Sequence, residues 1–112
     1  MRIIDRDKII ILDNRQRREF DPVHIIELAE SIQKNLLHPV VVRKQDPEDS
    51  VPPGTPSDAV VLVAGETRLK AMEHIWFTGK TFFCNGAEFT EGFVPCNNLG
   101  DLSPIEAEEA EL

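Results

Sequence analysis

The stretch "AVVLVAGETRLKAME", residues 59 to 73, does most to limit what this chain can become. Six apolar positions in a row, half of them β-branched, predict a buried strand, because a branched Cβ packs well on a pleated surface and loses rotamers in a helix. Gly65 stands where that pattern stops, and Leu69, Met72 and Trp76 then recur at helical spacing. The chain therefore turns from strand to helix on a glycine.

Three further segments extend this reading. "KIIILD" predicts a short strand at about residues 8 to 12, followed by the polar and basic loop "NRQRREFD". Asp21 is a good N-cap and Pro22 a good first helical residue; Ile25, Leu28, Ala29 and Ile32 fall at i, i+3, i+4 and i+7, so a helix is expected to about Lys34. Asn35 suits a left-handed residue closing that helix. "PVVVR" reads as a second buried strand, and "KQDPEDSVPPGTPSD" after it as a solvated loop without apolar periodicity. Between Phe77 and Asn98, an Asn-Gly turn signal separates two short aromatic stretches and points to a hairpin. In "SPIEAEEAEL", Ser103 as N-cap, Pro104 and Glu106 form a capping-box arrangement that starts a last helix. The order predicts an α+β (α/β) single domain, a small mixed β-sheet with packed helices.

At 112 residues and 41% apolar content there is enough chain for one core but not two. The apolar runs are far too short to span a bilayer, and "MRIIDRDK" has charges where a signal peptide needs an apolar stretch, so a soluble cytoplasmic protein with no membrane partner is expected. A formal charge of -8 opposes general phosphate neutralisation, and DNA contact would have to come from a local basic patch or a partner. Cys84 and Cys96 form no CxxC and have no paired histidines, which indicates no metal site and favours two reduced thiols over the alternative of a disulfide. His24, His38 and His74 are scattered without metal-ligand spacing.

The chemistry concentrates in "VAGETR". A glycine between a buried strand and a helix lets the backbone approach a ligand, and the first amides of the helix have no internal acceptor, which attracts anions. Arg68 adds a planar charged fork able to grip a phosphate twice, and Thr67 adds a hydroxyl. Glu66 cannot bind a phosphate directly; holding a metal ion, orienting Arg68, or contacting a sugar or water are its open roles. A plain strand-to-helix connection with a solvated arginine is the simpler reading. The loop bearing Arg15, Gln16, Arg17 and Arg18 is either a second cationic element for the same site or a solvated turn. The glutamates at 106, 108, 109 and 111 form a solvated face that can also dock on a basic partner or on a second copy, giving a homodimer.

The segments "REFDPVHIIELAESIQKNLLHPVVVR", "LVAGETRLKAMEHI" and "VPCNNLGDLSPIEAEEAEL" closely resemble the N-terminal domain of ParB partition proteins, of the ParB/sulfiredoxin superfamily, from about Lys8 to Leu112. The shared pattern is an arginine loop before "FD" at Arg17 to Asp21 and a helix ending in Ser31 and Ile32. It continues with two leucines, a polar residue, proline and a strand from Leu36 to Arg43, then "GERR" and a small residue at Gly65 to Ala71. The resemblance implies a pocket for CTP, or ATP, with magnesium. Gly65, Glu66, Thr67 and Arg68 would line the phosphates with Arg17 or Arg18, and Leu36, Leu37 and His38 would flank the base or ribose.

Departures sit beside these matches. Thr67 replaces the first arginine of "GERR", and "FTGKTFFCNGAEFTEGF" lengthens a normally short connection. The sequence ends before the acid-asparagine motif expected early in the last helix and before a DNA-reading helix-turn-helix. DNA would thus be met through regions beyond these residues or through a partner. The expected function is a nucleotide-binding domain of a partition, plasmid or phage regulatory protein. The alternatives are an ATP-dependent phosphotransferase or NTP hydrolase with Glu66 as base, and an interaction module with a vestigial pocket. Sulfinic-acid reduction is disfavoured, because Glu66 stands where sulfiredoxin-like enzymes carry their cysteine.

Overall fold

The computed structural model describes residues 1–12 and 20–99. The expected sites Arg17 and Arg18, the rest of the loop 13–19, and the helix expected from Ser103 lie outside the described residues.

The chain opens with strand β1 (Arg2–Asp5), makes a 3-10 turn (Arg6–Lys8), and forms the two-residue strand β2 (Ile9–Ile10). The single strand expected over residues 8 to 12 is thus shorter, and β1 precedes it. Helix α1 (Pro22–Lys34) starts as its caps require: the Asp21 carboxylate accepts from the Val23 amide at 3.0 Å and Pro22 occupies the first turn. Its end corrects the expectation. Asn35 is extended (φ -170°, ψ 122°), not left-handed, and its amide still reaches the Ser31 carbonyl, so the chain leaves straight toward the next strand.

Strands β3 (Val40–Lys44) and β4 (Val60–Ala64) pair antiparallel, and Gly65 leads into helix α2 (Glu66–Phe77). The hairpin β5 (Phe82–Cys84) and β6 (Ala87–Phe89) turns on Asn85 and Gly86, both at positive φ (51° and 80°), as an Asn-Gly turn requires. Strand β7 (Phe93–Asn98) returns to the main sheet, whose order is β1-β7-β3-β4-β2. Its pairings are mixed: β2 with β4 and β3 with β7 are parallel, β1 with β7 and β3 with β4 antiparallel. This is the expected α+β arrangement of a small mixed sheet with packed helices.

The sheet must curl. A flat sheet of this order puts β1 and β2 four strand spacings apart, about 19 Å, whereas the four steps from Asp5 to Ile9 reach at most about 15 Å. Residues from both sides accordingly line one groove of about 460 Å³, with Arg2, Ile3 and Phe93 on one flank and Asp58 and Val60 on the other. Curling also buries strand residues on both faces. Val40, Val42, Leu62, Val94 and Cys96 join the helices and the stacked Phe82–Phe89 pair in the core, while Val41, Val61 and Pro95 are buried from the opposite face. Cys84 and Cys96 are free buried thiols.

The loop between β3 and β4, expected to be merely solvated, is tied down in three places. Arg43 makes a two-pronged ion pair with Asp49 (3.0 and 2.9 Å), the Gln45 amide donates to the carbonyls of Pro56 and Ala59, and Lys8 pairs with Asp58 at 2.6 Å.

Candidate functional site: the turn from β4 into α2

The site begins with Gly65, at φ 100° and ψ 24° in the residue that caps α2. Two constraints demand glycine there. Positive φ crowds a side chain against its own backbone, and a Cβ at this position would lie 2.9 Å from Val40 Cγ1 and 3.2 Å from Arg68 Nη2. The backbone of the turn is thus pressed against the first residue of β3. The Gly65 carbonyl accepts the first helical bond, from the Leu69 amide at 2.9 Å.

The first amides of α2 have no intrahelical acceptor and carry the positive end of the helix dipole. Glu66 is the one buried charged side chain among the described residues, 7% exposed, and Thr67 is half-buried. Arg68 is half-buried too, and loss of solvent lowers its pKa. Its Nη1 donates to the carbonyl oxygens of His38, at 2.5 Å, and of Pro39, at 3.1 Å. Arg68 therefore fastens the start of α2 to the turn between α1 and β3.

That contact brings together two groups of sequence-predicted residues, Gly65 to Arg68 and Leu37 with His38. Leu36 anchors the turn, fully buried, with its amide donating to the Phe83 carbonyl at 2.6 Å. Leu37 is 75% exposed and His38 also faces solvent. Phe20, where the basic loop ends, stands against α2 with Lys70 Nζ 5.8 Å from its ring centre. Lys70 and Arg6 both approach Glu73, at 3.9 and 2.7 Å, so the next turn of α2 is ion-paired.

Val40, Pro39 and Phe83 are not among the candidate site residues read from sequence. Val40 reads there only as a buried strand residue, the Pro39 contact is through a main-chain carbonyl, and Phe83 lies 47 positions from Leu36, so no local pattern marks their part in the site. Among the described residues no group of three His, Cys, Asp or Glu side chains is placed to hold a metal ion. No helix among them is long and apolar enough to cross a membrane.

Comparison with known proteins covers the same stretch of chain. A family model for the ParB N-terminal domain matches residues 1–78, which include both the Leu36–Pro39 turn and the Gly65–Arg68 turn. No curated protein matches the chain by sequence. Among solved structures, the chain resembles the C-terminally truncated chromosome-partitioning protein ParB from Caulobacter crescentus complexed with CTP-gamma-S (TM-score 0.58, 21% identity, covering 97% of this chain and 49% of that one). It likewise resembles the C-terminally truncated ParB of that organism complexed to the centromeric parS site (TM-score 0.57, 19% identity, covering 99% and 44%). At these identities the likeness is one of fold, and the chain spans about half the length of the structures it matches.

Proposed function

The chain belongs to the family of ParB N-terminal domains, and on that premise we propose that it is the nucleotide-binding domain of a partition-type protein, with CTP as ligand and its phosphates at the turn from Gly65 to Arg68. The observation that carries this reading is the left-handed Gly65. It delivers the backbone into the N-terminus of α2 without a side chain in the way, and Arg68 stands in the first turn with its guanidinium pinned beside the glycine. Helix amides and an arginine fork together are a strong phosphate receptor.

Thr67 contributes a hydroxyl in place of a second arginine, and Arg17 and Arg18 supply the remaining positive charge. Leu37 and His38 border the base or ribose, since the His38 carbonyl is already in contact with Arg68. Magnesium fits as an ion carried by the phosphates with at most one carboxylate, Glu66, because it is commonly held by phosphate oxygens and few protein ligands. Contact with DNA falls to regions outside these residues or to a partner, consistent with a charge of -8. The likeness to ParB complexed with CTP-gamma-S supports the choice of CTP over ATP.

A second reading rests on one observation, the burial of Glu66 at the phosphate end. A buried carboxylate there can serve as the base of an NTP hydrolase or phosphotransferase. Calorimetric titration with CTP, ATP and GTP in magnesium, for the wild type and for Arg68→Ala, tests both. Selective CTP binding that disappears in the variant is the expected result. Phosphate release that Glu66→Gln abolishes would favour the enzyme, and no binding of any nucleotide would overturn both readings.

A further inference from the structure

The aromatic side chain of Phe83 belongs to no function described above, although the hydrogen bond from the Leu36 amide to its carbonyl, 2.6 Å, is among the shortest in the fold. Its neighbours Phe82 and Cys84 are fully buried, and the alternation of a strand turns Phe83 to the other side, where it remains 41% exposed. A strand with one exposed aromatic between two buried anchors holds that ring in a defined place.

The place is defined relative to the phosphate end. Arg68 Nη1 touches the His38 carbonyl, and the Leu36 amide, two residues earlier in the same turn, touches the Phe83 carbonyl. Two α-carbon steps of about 3.8 Å separate Leu36 from His38, so the backbone at Phe83 and the Arg68 guanidinium lie no farther apart than about the length of one nucleotide. Leu37, 75% exposed, is the residue of the chain between these two contact points. An anion receptor at one end, and an exposed ring and an exposed leucine on the two segments joined at the other, make up the two halves of a nucleotide's chemistry, charge and flat apolar surface.

We propose that Phe83, carried by the β5–β6 hairpin, is the stacking shelf for the base of the nucleotide whose phosphates meet the α2 N-terminus, with Leu37 closing the flank. This rests on the phosphate-binding reading above and adds to it a residue from the lengthened connection after α2. Ring stacking tolerates every base, so the shelf supplies affinity for the nucleoside half and leaves the choice of base to polar groups. The short bond from Leu36 makes the hairpin part of the site: displacing β5 moves the shelf and the turn together.

The test compares CTP with inorganic tripolyphosphate, which has the charge and lacks the base. Calorimetry would be run on the wild type, Phe83→Thr, which keeps a strand-forming residue without the ring, Phe83→Trp, which keeps a ring, and Phe77→Ala. Phe77 is 90% exposed at the far end of α2 and serves as control. Loss of the ring is expected to weaken CTP about tenfold, in line with base stacking on aromatic side chains, with tripolyphosphate unchanged. Phe83→Trp should bind as the wild type does, and Phe77→Ala should have no effect. Equal CTP affinity in the wild type and Phe83→Thr would overturn the shelf while leaving the phosphate site standing. Failure of the wild type to bind either ligand would overturn both.

Discussion

Arg68 Nη1 and the main-chain oxygen of His38 are 2.5 Å apart, across thirty residues of sequence. The arginine expected to meet a ligand is thus also a structural tie, holding the α1–β3 turn against the first turn of α2. A charged donor to two carbonyls is worth more than a neutral one, so Arg68→Ala should destabilise the fold by about 2 kcal/mol. Arg68→Lys, with no planar fork, should recover only part of that. Urea denaturation without nucleotide measures the structural share separately from any loss of binding; a variant as stable as the wild type would show that the tie contributes nothing.

Gly65 is the position least able to change. Gly65→Ala should cost about 2–4 kcal/mol, combining backbone strain at φ 100° with the approach to Val40 Cγ1 at 2.9 Å. In a double-mutant cycle, Val40→Ala makes room for the added methyl group. The two substitutions together should cost less than the sum of their separate effects, and strict additivity would mean that the contact with Val40 is not the source of the strain.

At Gly86, also at positive φ but with nothing within 4 Å of an added methyl group, only the backbone cost applies. Gly86→Ala should lose about 1 kcal/mol, well below the loss at Gly65, and thermal unfolding of the two variants side by side ranks them.

The Asp49 carboxylate should titrate at about 2 instead of 3.8, because the Arg43 guanidinium and then the Asp46 amide donate to its charged form. The folded pKa lies below the unfolded one, so the stabilisation is fully present above 3.8 and is lost as pH falls from there toward about 2. An NMR titration of the Asp49 carboxyl carbon should show the low midpoint, and Arg43→Ala should bring it most of the way back to the ordinary range.

Burial raises the pKa of both thiols, that of Cys96 to about 12. Neither should react with a thiol reagent at about pH 8 in the folded protein, and both should react at once in denaturant. Rapid labelling of one thiol under native conditions would show that its strand opens locally.

Much of the fold was legible in residues that act on their immediate neighbours. Asp21 and Pro22 start α1 through bonds within two or three positions, Asn85 and Gly86 turn the hairpin through their own φ angles, and Gly65 ends a strand where a helix begins. Each is a local steric or hydrogen-bonding fact, which is why the elements holding the candidate site could be placed from sequence. The left-handed closure expected at Asn35 is not adopted, because such a cap is one option among several and the chain runs on in an extended conformation toward β3.

What only the tertiary structure decided is non-local. Strand β1, with the sequence Arg2, Ile3, Ile4 and Asp5, carries no strong pattern and exists by pairing with β7, near the other end of the chain, while the two residues of β2 become a strand only beside β4. The curl of the sheet, the tie from Arg68 to His38 and the bond from Leu36 to Phe83 use main-chain groups that every residue possesses, so side-chain identity cannot announce them. The sequence by itself determined where the turn from β4 into α2 lies, through the backbone freedom of one glycine. Tertiary packing determined what surrounds it, because strand pairing and burial join segments that share no local signal.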